Sequence, residues 1–356
     1  MVFKWRKKQL LLLTLLIVIA MFTSACGTNS AASGDTNGST SDKPLNGKRI
    51  ALIMEFNTGT FSQQYVQGVT EEVEKFGGKL TKFVANNDKA KMASLLDSAV
   101  TQRFDAILTD HGDADILQAG IKKADAQKIP VIVFDADVEE PGVTVLSQDD
   151  QQMAQLTLDQ LKKDIGGKGN IVKVWVAGFA PMERRQISYA KFLTDNPDIK
   201  EIAAFGNAQN PALDTQTQME AILKQYPKGE ISAVWTAWDE FAKGASRAIQ
   251  QAGRTEIKVY GIDMSDEDLQ MIQDPNNPWI ASAAVDPKDI GRIQVRYAYQ
   301  KLHGDKTEDD VVLSPVYVSK ELLPKEQIST TELSKYVKEW GNSQQGVQDW
   351  MNEYSK

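Results

Sequence analysis

The chain has 356 residues, 48 acidic against 40 basic side chains, a formal charge of −8, two histidines and one cysteine. That acidic balance argues against nucleic acid or an anionic membrane face as the main partner. A single cysteine excludes an intrachain disulfide, two histidines leave no cluster for a histidine-based metal site, and no cofactor is implied.

At the start, MVFKWRKK places Lys4, Arg6, Lys7 and Lys8 ahead of an apolar run from Leu10 to Phe22, broken only by Thr14. A basic head, a short apolar core and small residues at Ser24 and Ala25 read as a secretory leader over residues 1–25. The run is short for a membrane span, which needs about 20 residues, although an uncleaved anchor helix is the alternative. The stretch T-S-A-C ending at Cys26 resembles the lipobox of bacterial lipoproteins, with Thr23 where an apolar residue is usual. That resemblance implies diacylation of Cys26 and a lipid-anchored protein on the outer face of the cell membrane. The Gly-, Ser- and Asn-rich residues that follow are expected to form a flexible tether over 26–47.

From residue 48 the pattern is regular. RIALIMEF (49–56) is a nearly continuous apolar run, as expected of a strand covered on both faces. In the next segment Phe61, Tyr65, Val69, Val73 and Phe76 recur at helical spacing before Gly77 and Gly78. KLTKFVA, FDAILTD and IPVIVFDAD then alternate with KAKMASLLDSAVTQ and DILQAGIKKADAQK. A second series follows, with strands NIVKVWVAG, IKEIAAFGN, ISAVWTAW, IKVYGID and WIASAAV between amphipathic helices. The helix IGRIQVRYAYQKL and the segment DDVVLSPVYVSKEL end the series. Strands alternating with helices predict parallel sheets, and two series predict two open, doubly wound α/β lobes. The tail ISTTELSKYVKEWGNSQQGVQDWMNEY is expected to form one or two short helices packed on a lobe, carrying Trp340 and Trp350.

Ligands of open α/β sheets bind beyond the carboxyl ends of the strands. Those ends supply Glu55, Asp110, Asp135, Gly178, Trp238, Asp239 and Asp263, carboxylates with one large aromatic. No G-x-G-x-x-G follows the first strand, and neither a G-x-x-x-x-G-K-[ST] loop nor a G-x-S-x-G elbow occurs. Paired carboxylates can run glycoside hydrolysis, but Asp135 and Asp263 fall in different lobes, so an enzyme is not expected. Carboxylates at strand ends instead suit the hydroxyls of a sugar over an aromatic plate, with Trp238 the plate and Trp175 and Trp235 core. Asp239 also suits a helix cap, and His111 is either a donor to the ligand or a solvated loop tip.

The segments ALIMEFNTGTFSQQYVQGVTEEVEKFG, IPVIVFDAD, VWTAWDEFAKGASRAIQQAG and VYGID, the last followed by WIASAAVDPKDIG, resemble the periplasmic sugar-binding proteins of ribose and galactose type. These feed ABC importers and share a fold with the ligand domains of LacI-type repressors. The resemblance covers residues 48–323. It implies a type I periplasmic binding protein, with two lobes joined by a three-stranded hinge, closing on a sugar without catalysis. The implied lobes are 48–147 with 286–313 and 148–285 with 314–323, followed by a C-terminal extension, 324–356. The implied contacts are Glu55, Gly59, Phe61, Ser62, Asp135, Arg185 (with Arg184 as a substitute), Trp238, Asp263 and Val285 or Asp286, joined by Asp110, His111 and Asp239 from the strand ends. The arginine commonly following the Asp135 position is Ala136 here.

The expected function is capture of a monosaccharide or polyol for an ABC importer permease by a monomeric lipoprotein. A receptor for a membrane signalling protein, or for a small cationic solute attracted by the carboxylates, is the alternative. Alanine at Asp263 or Arg185 is expected to weaken binding about tenfold or more with little change in stability.

Overall fold

A computed structural model describes residues 43–354. The expected leader, Cys26 and most of the tether lie outside the described residues. Leu45, assigned to the tether, is buried in the core, and its amide donates to the Tyr354 hydroxyl at 3.3 Å.

The first lobe begins with β1 (Arg49–Met54), α1 (Gly59–Lys75), β2 (Lys79–Val84), α2 (Lys89–Thr101) and β3 (Ala106–Asp110). It continues with α3 (Ala114–Ala126), β4 (Val131–Phe134) and β5 (Thr144–Gln148). The chain then enters the second lobe through α4 (Asp150–Asp164), β6 (Gly169–Val174), α5 (Ala180–Asp195), β7 (Ile199–Phe205) and α6 (Pro211–Gln225). There follow β8 (Ala233–Thr236), α7 (Asp239–Gln251), β9 (Lys258–Ile262), α8 (Asp266–Gln273) and β10 (Trp279–Ala284). It returns to the first lobe as α9 (Pro287–His303) and β11 (Asp310–Leu313), and crosses again to β12 (Val316–Ser319).

Two six-stranded sheets result, ordered β11-β5-β4-β3-β1-β2 and β12-β10-β9-β8-β6-β7. All neighbours are parallel except β10 and β12, which are antiparallel. The chain passes between sheets three times: after Gln148, after Ala284 and between Leu313 and Val316. The sequence reading missed β5, a five-residue strand just past the Pro141–Gly142 turn.

Burial explains the apolar runs: β1 has five consecutive buried residues, and β3 and β4 are buried throughout. The helices α1 and α9 cross at near backbone contact. A Cβ at Gly68 would lie 2.1 Å from the Lys288 carbonyl oxygen, and one at Gly291 would lie 2.5 Å from that of Tyr65. Only glycine permits that approach.

The tail forms two short 3-10 helices, Leu333–Lys335 and Asp349–Tyr354, in keeping with the short helices expected. Contrary to expectation, it does not pack on one lobe. Ile328, Leu333, Val337 and Trp340 enter the core of the second lobe, whereas Met351, Tyr354 and Trp350 pack into that of the first. Between them the backbone turns sharply, with positive φ at Glu339, Gly341 and Asn342. Arg296 of α9 holds the crossing by donating to the carbonyls of Ser343 (2.7 Å) and Gln345 (3.1 Å). The tail is a fourth connection across the hinge.

Candidate ligand-binding site

A cavity lies between the carboxyl ends of the two sheets. It gives the centres of water-sized spheres about 50 Å³, several times the roughly 10–15 Å³ that one water needs. From the first lobe it is lined by Phe56 and Thr58 after β1, by Phe61, Ser62 and Tyr65 of α1, by Asn87 after β2, and by Asp110, His111, Asp135 and Gln148. The second lobe contributes Val176 and Phe179 after β6, Pro181, Met182 and Arg185 of α5, Ala208 after β7, Trp238 after β8 and Asp263 after β9.

Four of these strand-end residues, Asn87, His111, Asp135 and Asp263, hold positive φ of 61°, 62°, 52° and 76°. Left-handed backbone is costly for a residue with a Cβ and concentrates at functional sites. Here it turns the chain sharply where each strand gives way to the cavity wall.

Two arginines organise the charge. Arg185 is buried; its Nε donates to Asp150 at 2.7 Å, its Nη1 to the Ala237 carbonyl at 2.6 Å, and its two terminal nitrogens lie 3.3 Å from the two oxygens of Asp263. Arg184 reaches across the lobes to Asp135 at 2.8 Å and Asp137 at 2.6 Å while donating to Asp150 at 2.7 Å. Asp150, at the start of α4, thus orients both guanidiniums. Burial pushes its carboxyl up to about 6 despite the opposing pull of Arg185 and Arg184. Burial likewise raises Asp135 against Arg184, and Asp263 against Arg185. Arg184 therefore supplies from the opposite lobe a guanidinium at Asp135, beside which the sequence has Ala136.

His111 is not a solvated loop tip: its Nδ1 sits 2.7 Å from Asp110 and its ring 4.7 Å from that of Phe56. Burial opposes the imidazolium, but the Asp110 carboxylate, helped by Asp135 and Glu55, holds its pKa at about 9.

Of the twelve sequence-derived candidates, the structure brings Phe61, Ser62, Asp110, His111, Asp135, Arg185, Trp238 and Asp263 to the cavity. Four lie off it. Glu55 turns back to accept from the Gly112 amide at 2.9 Å. Gly59 lies against Glu240 at the lobe seam. Asp239 lies 3.4 Å from Lys243, one turn on in α7. Asp286 caps α9 by accepting from the Lys288 amide at 2.9 Å and lines a separate crevice at the hinge. Trp235 is fully buried and Trp175 partly so. The expectation that Arg185→Ala would leave stability intact fails on the same geometry, because the substitution strands the carboxylates of Asp150 and Asp263 in the interior.

Sequence reasoning missed Phe56, Thr58, Tyr65, Asn87, Gln148, Val176, Phe179, Pro181, Met182 and Ala208. The pair Asn86–Asn87, a residue type tolerant of positive φ, was the one legible signal of a strand-end turn. The Oε1 of Gln148 and the Oδ1 of Asn87 have no hydrogen-bond partner among the described residues.

A family profile described as "Periplasmic binding protein domain" matches residues 50–306. The D-apiose import binding protein of Actinobacillus succinogenes is 27% identical over 224 residues, 61% of this chain and 70% of that one. The xylitol-binding protein of Mycolicibacterium smegmatis is 27% identical over 259 residues, 72% of this chain and 70% of that one. Among solved structures, a sugar ABC transporter protein of Yersinia enterocolitica superposes with a TM-score of 0.82 at 35% identity, covering 87% of this chain and 95% of that one. The 5-methylthioribose transporter solute-binding protein of Thermotoga lettingae, in complex with 5-methylthioribose, gives 0.82 at 36%, covering 86% and 98%.

Proposed function

The chain belongs to the periplasmic binding protein family, in its ribose- and galactose-like branch of ABC importer receptors, and from that premise we propose that it captures a monosaccharide or polyol between its lobes for delivery to an ABC permease. It is a receptor and not an enzyme. Its place is the extracytoplasmic side of the membrane, and we assign its retention there to acylation of Cys26, with the protein acting as a monomer.

The observation that carries the ligand class is a cavity wall that sets Asp110, Asp135, Asp263 and Gln148 beside the Arg185 guanidinium. Hydroxyl groups both donate and accept, so a polyhydroxylated solute can serve acceptors, carboxylates and guanidinium together. A cationic solute is less suited, because Asp135, Asp150 and Asp263 already face Arg184 and Arg185, and Asp110 faces His111. Named ligands of relatives agree in class: D-apiose, xylitol, 5-methylthioribose and, in a 30% identical structure from Agrobacterium vitis, allitol.

Roles follow from placement. Asp135, Asp263 and Gln148 accept from ring hydroxyls, Arg185 donates to a ring or hydroxyl oxygen, and Trp238 and Phe61 lie against the apolar faces of the sugar. Closure unites Arg185 of the second lobe with Asp135 of the first. The test is a calorimetric screen of pentoses, hexoses, polyols, 5-methylthioribose and small cationic solutes. Saturable binding confined to the carbohydrates supports the proposal; binding of a cationic solute alone contradicts it.

A further inference from the structure

The order of strands grades the two cavity walls in the same direction. Across the second sheet, the order β9-β8-β6-β7 brings Asp263, Trp238, Val176 and Ala208 to the cavity in turn, from charged to apolar. Across the first, the order β5-β4-β3-β1 brings Gln148, Asp135, Asp110 and then Phe56. Contacts between lobes fix how the gradients face each other. Arg184 meets Asp135 at one end, while the Phe56 ring lies 5.9 Å from Trp238 and 6.0 Å from Phe179 at the other. The loop after β6 and the start of α5 extend the apolar end with Pro181 and Met182. Asn87, after the outermost strand β2, Thr58, and the His111 ring, 4.7 Å from that of Phe56, are the polar groups on that side.

We propose that the ligand is a sugar bearing an apolar arm, a short alkyl or alkylthio substituent. Its hydroxyls meet Asp135, Gln148, Arg185 and Asp263, and its arm lies among Phe56, Val176, Phe179, Met182 and Trp238. This rests on the carbohydrate reading and narrows it. A plain sugar would turn a hydroxyl toward that wall and lose the bond it made with water, whereas an arm of one or two heavy atoms gains by leaving water. The apolar and aromatic side chains around the arm offer little to an outward hydroxyl, and the nearby His111 ring is already held by Asp110 at 2.7 Å.

The experiment is titration calorimetry of the full chain with ribose, 5-deoxyribose and 5-methylthioribose, repeated on the near-isosteric Val176→Thr. The inference expects 5-methylthioribose to bind about tenfold or more tighter than ribose, with 5-deoxyribose between them. It also expects Val176→Thr to shrink that ratio by about threefold or more. Ribose or an unsubstituted polyol binding as tightly as 5-methylthioribose would overturn the inference and leave the carbohydrate reading standing. Failure of every sugar, substituted or plain, would overturn both.

Discussion

Two buried clusters of carboxylates lie at the lobe seam, and they differ in the cation at their centre. At the cavity, two arginines serve Asp135, Asp137, Asp150 and Asp263. Beside it, Lys243 of α7 lies within 2.6 to 3.4 Å of Asp239, Glu240, Glu267 and Asp268, with Arg247 reaching only Glu267, at 2.8 Å. A guanidinium has five donors in a fixed plane and an ammonium only three. The first cluster is accordingly well bonded, while both oxygens of Asp239 in the second lack a hydrogen bond among the described residues. Burial and the neighbouring Asp268 push the Asp239 carboxyl well above its usual range against the pull of Lys243. The arginine cluster spans the lobes and lines the cavity. The lysine cluster lies within the second lobe and meets the first where Gly59 lies against Glu240 and the Thr60 hydroxyl donates to Glu267 at 3.3 Å. Similar acids do different work here because of the cation supplied.

The largest effect expected is at Arg185. Arg185→Met should lower sugar affinity by about a hundredfold and, by stranding two buried carboxylates, cost on the order of 3–5 kcal/mol in denaturant unfolding. Lys243→Met should show a similar loss of stability with affinity changed by less than about fivefold. Equal losses of affinity in the two variants would erase the distinction between the clusters. Arg184→Met comes next: it breaks the pair across the lobes, and calorimetry should show affinity falling about tenfold.

The pH response follows in size. The folded pKa of His111, about 9, lies above its ordinary 6.5. Its contribution to stability is therefore complete below about pH 6.5 and is lost as pH rises through about 9. The raised Asp239 carboxyl acts in the same sense, favouring the fold while protonated and losing that contribution as pH rises through its folded value. Melting temperature should fall across pH 6.5 to 9 in the parent and fall less in His111→Gln. The smallest effect is Thr60→Val, which removes one hydroxyl at the rim and should change affinity by about threefold at most.

Much of the fold was legible because buried parallel strands leave uninterrupted apolar runs, as in RIALIM and VIVF. The tail's path across both lobes was not, since its apolar residues serve two cores in turn. Half of the site was legible for a similar reason: Asp135 and Asp263 end apolar runs, and a carboxylate there stands out. Glu55 and Asp239 look the same in sequence, yet a backbone amide takes one and a lysine the other. The apolar wall was invisible because Val176, Phe179 and Met182 follow a strand in a loop and first turn, where apolar residues usually mean packing. Arg184 and Arg185 stand side by side in the sequence; only the fold separates the one that bridges the lobes from the one buried at the cavity.

The central claim is that the two lobes close on a sugar in the cavity between their strand ends. Small-angle X-ray scattering tests it most directly, on the sugar-free protein and at a sugar concentration that calorimetry shows to be saturating. The account predicts a smaller radius of gyration when the sugar is bound, and none of that change in Arg185→Met at the same concentration. Superimposable profiles for the free and fully occupied parent protein would contradict it.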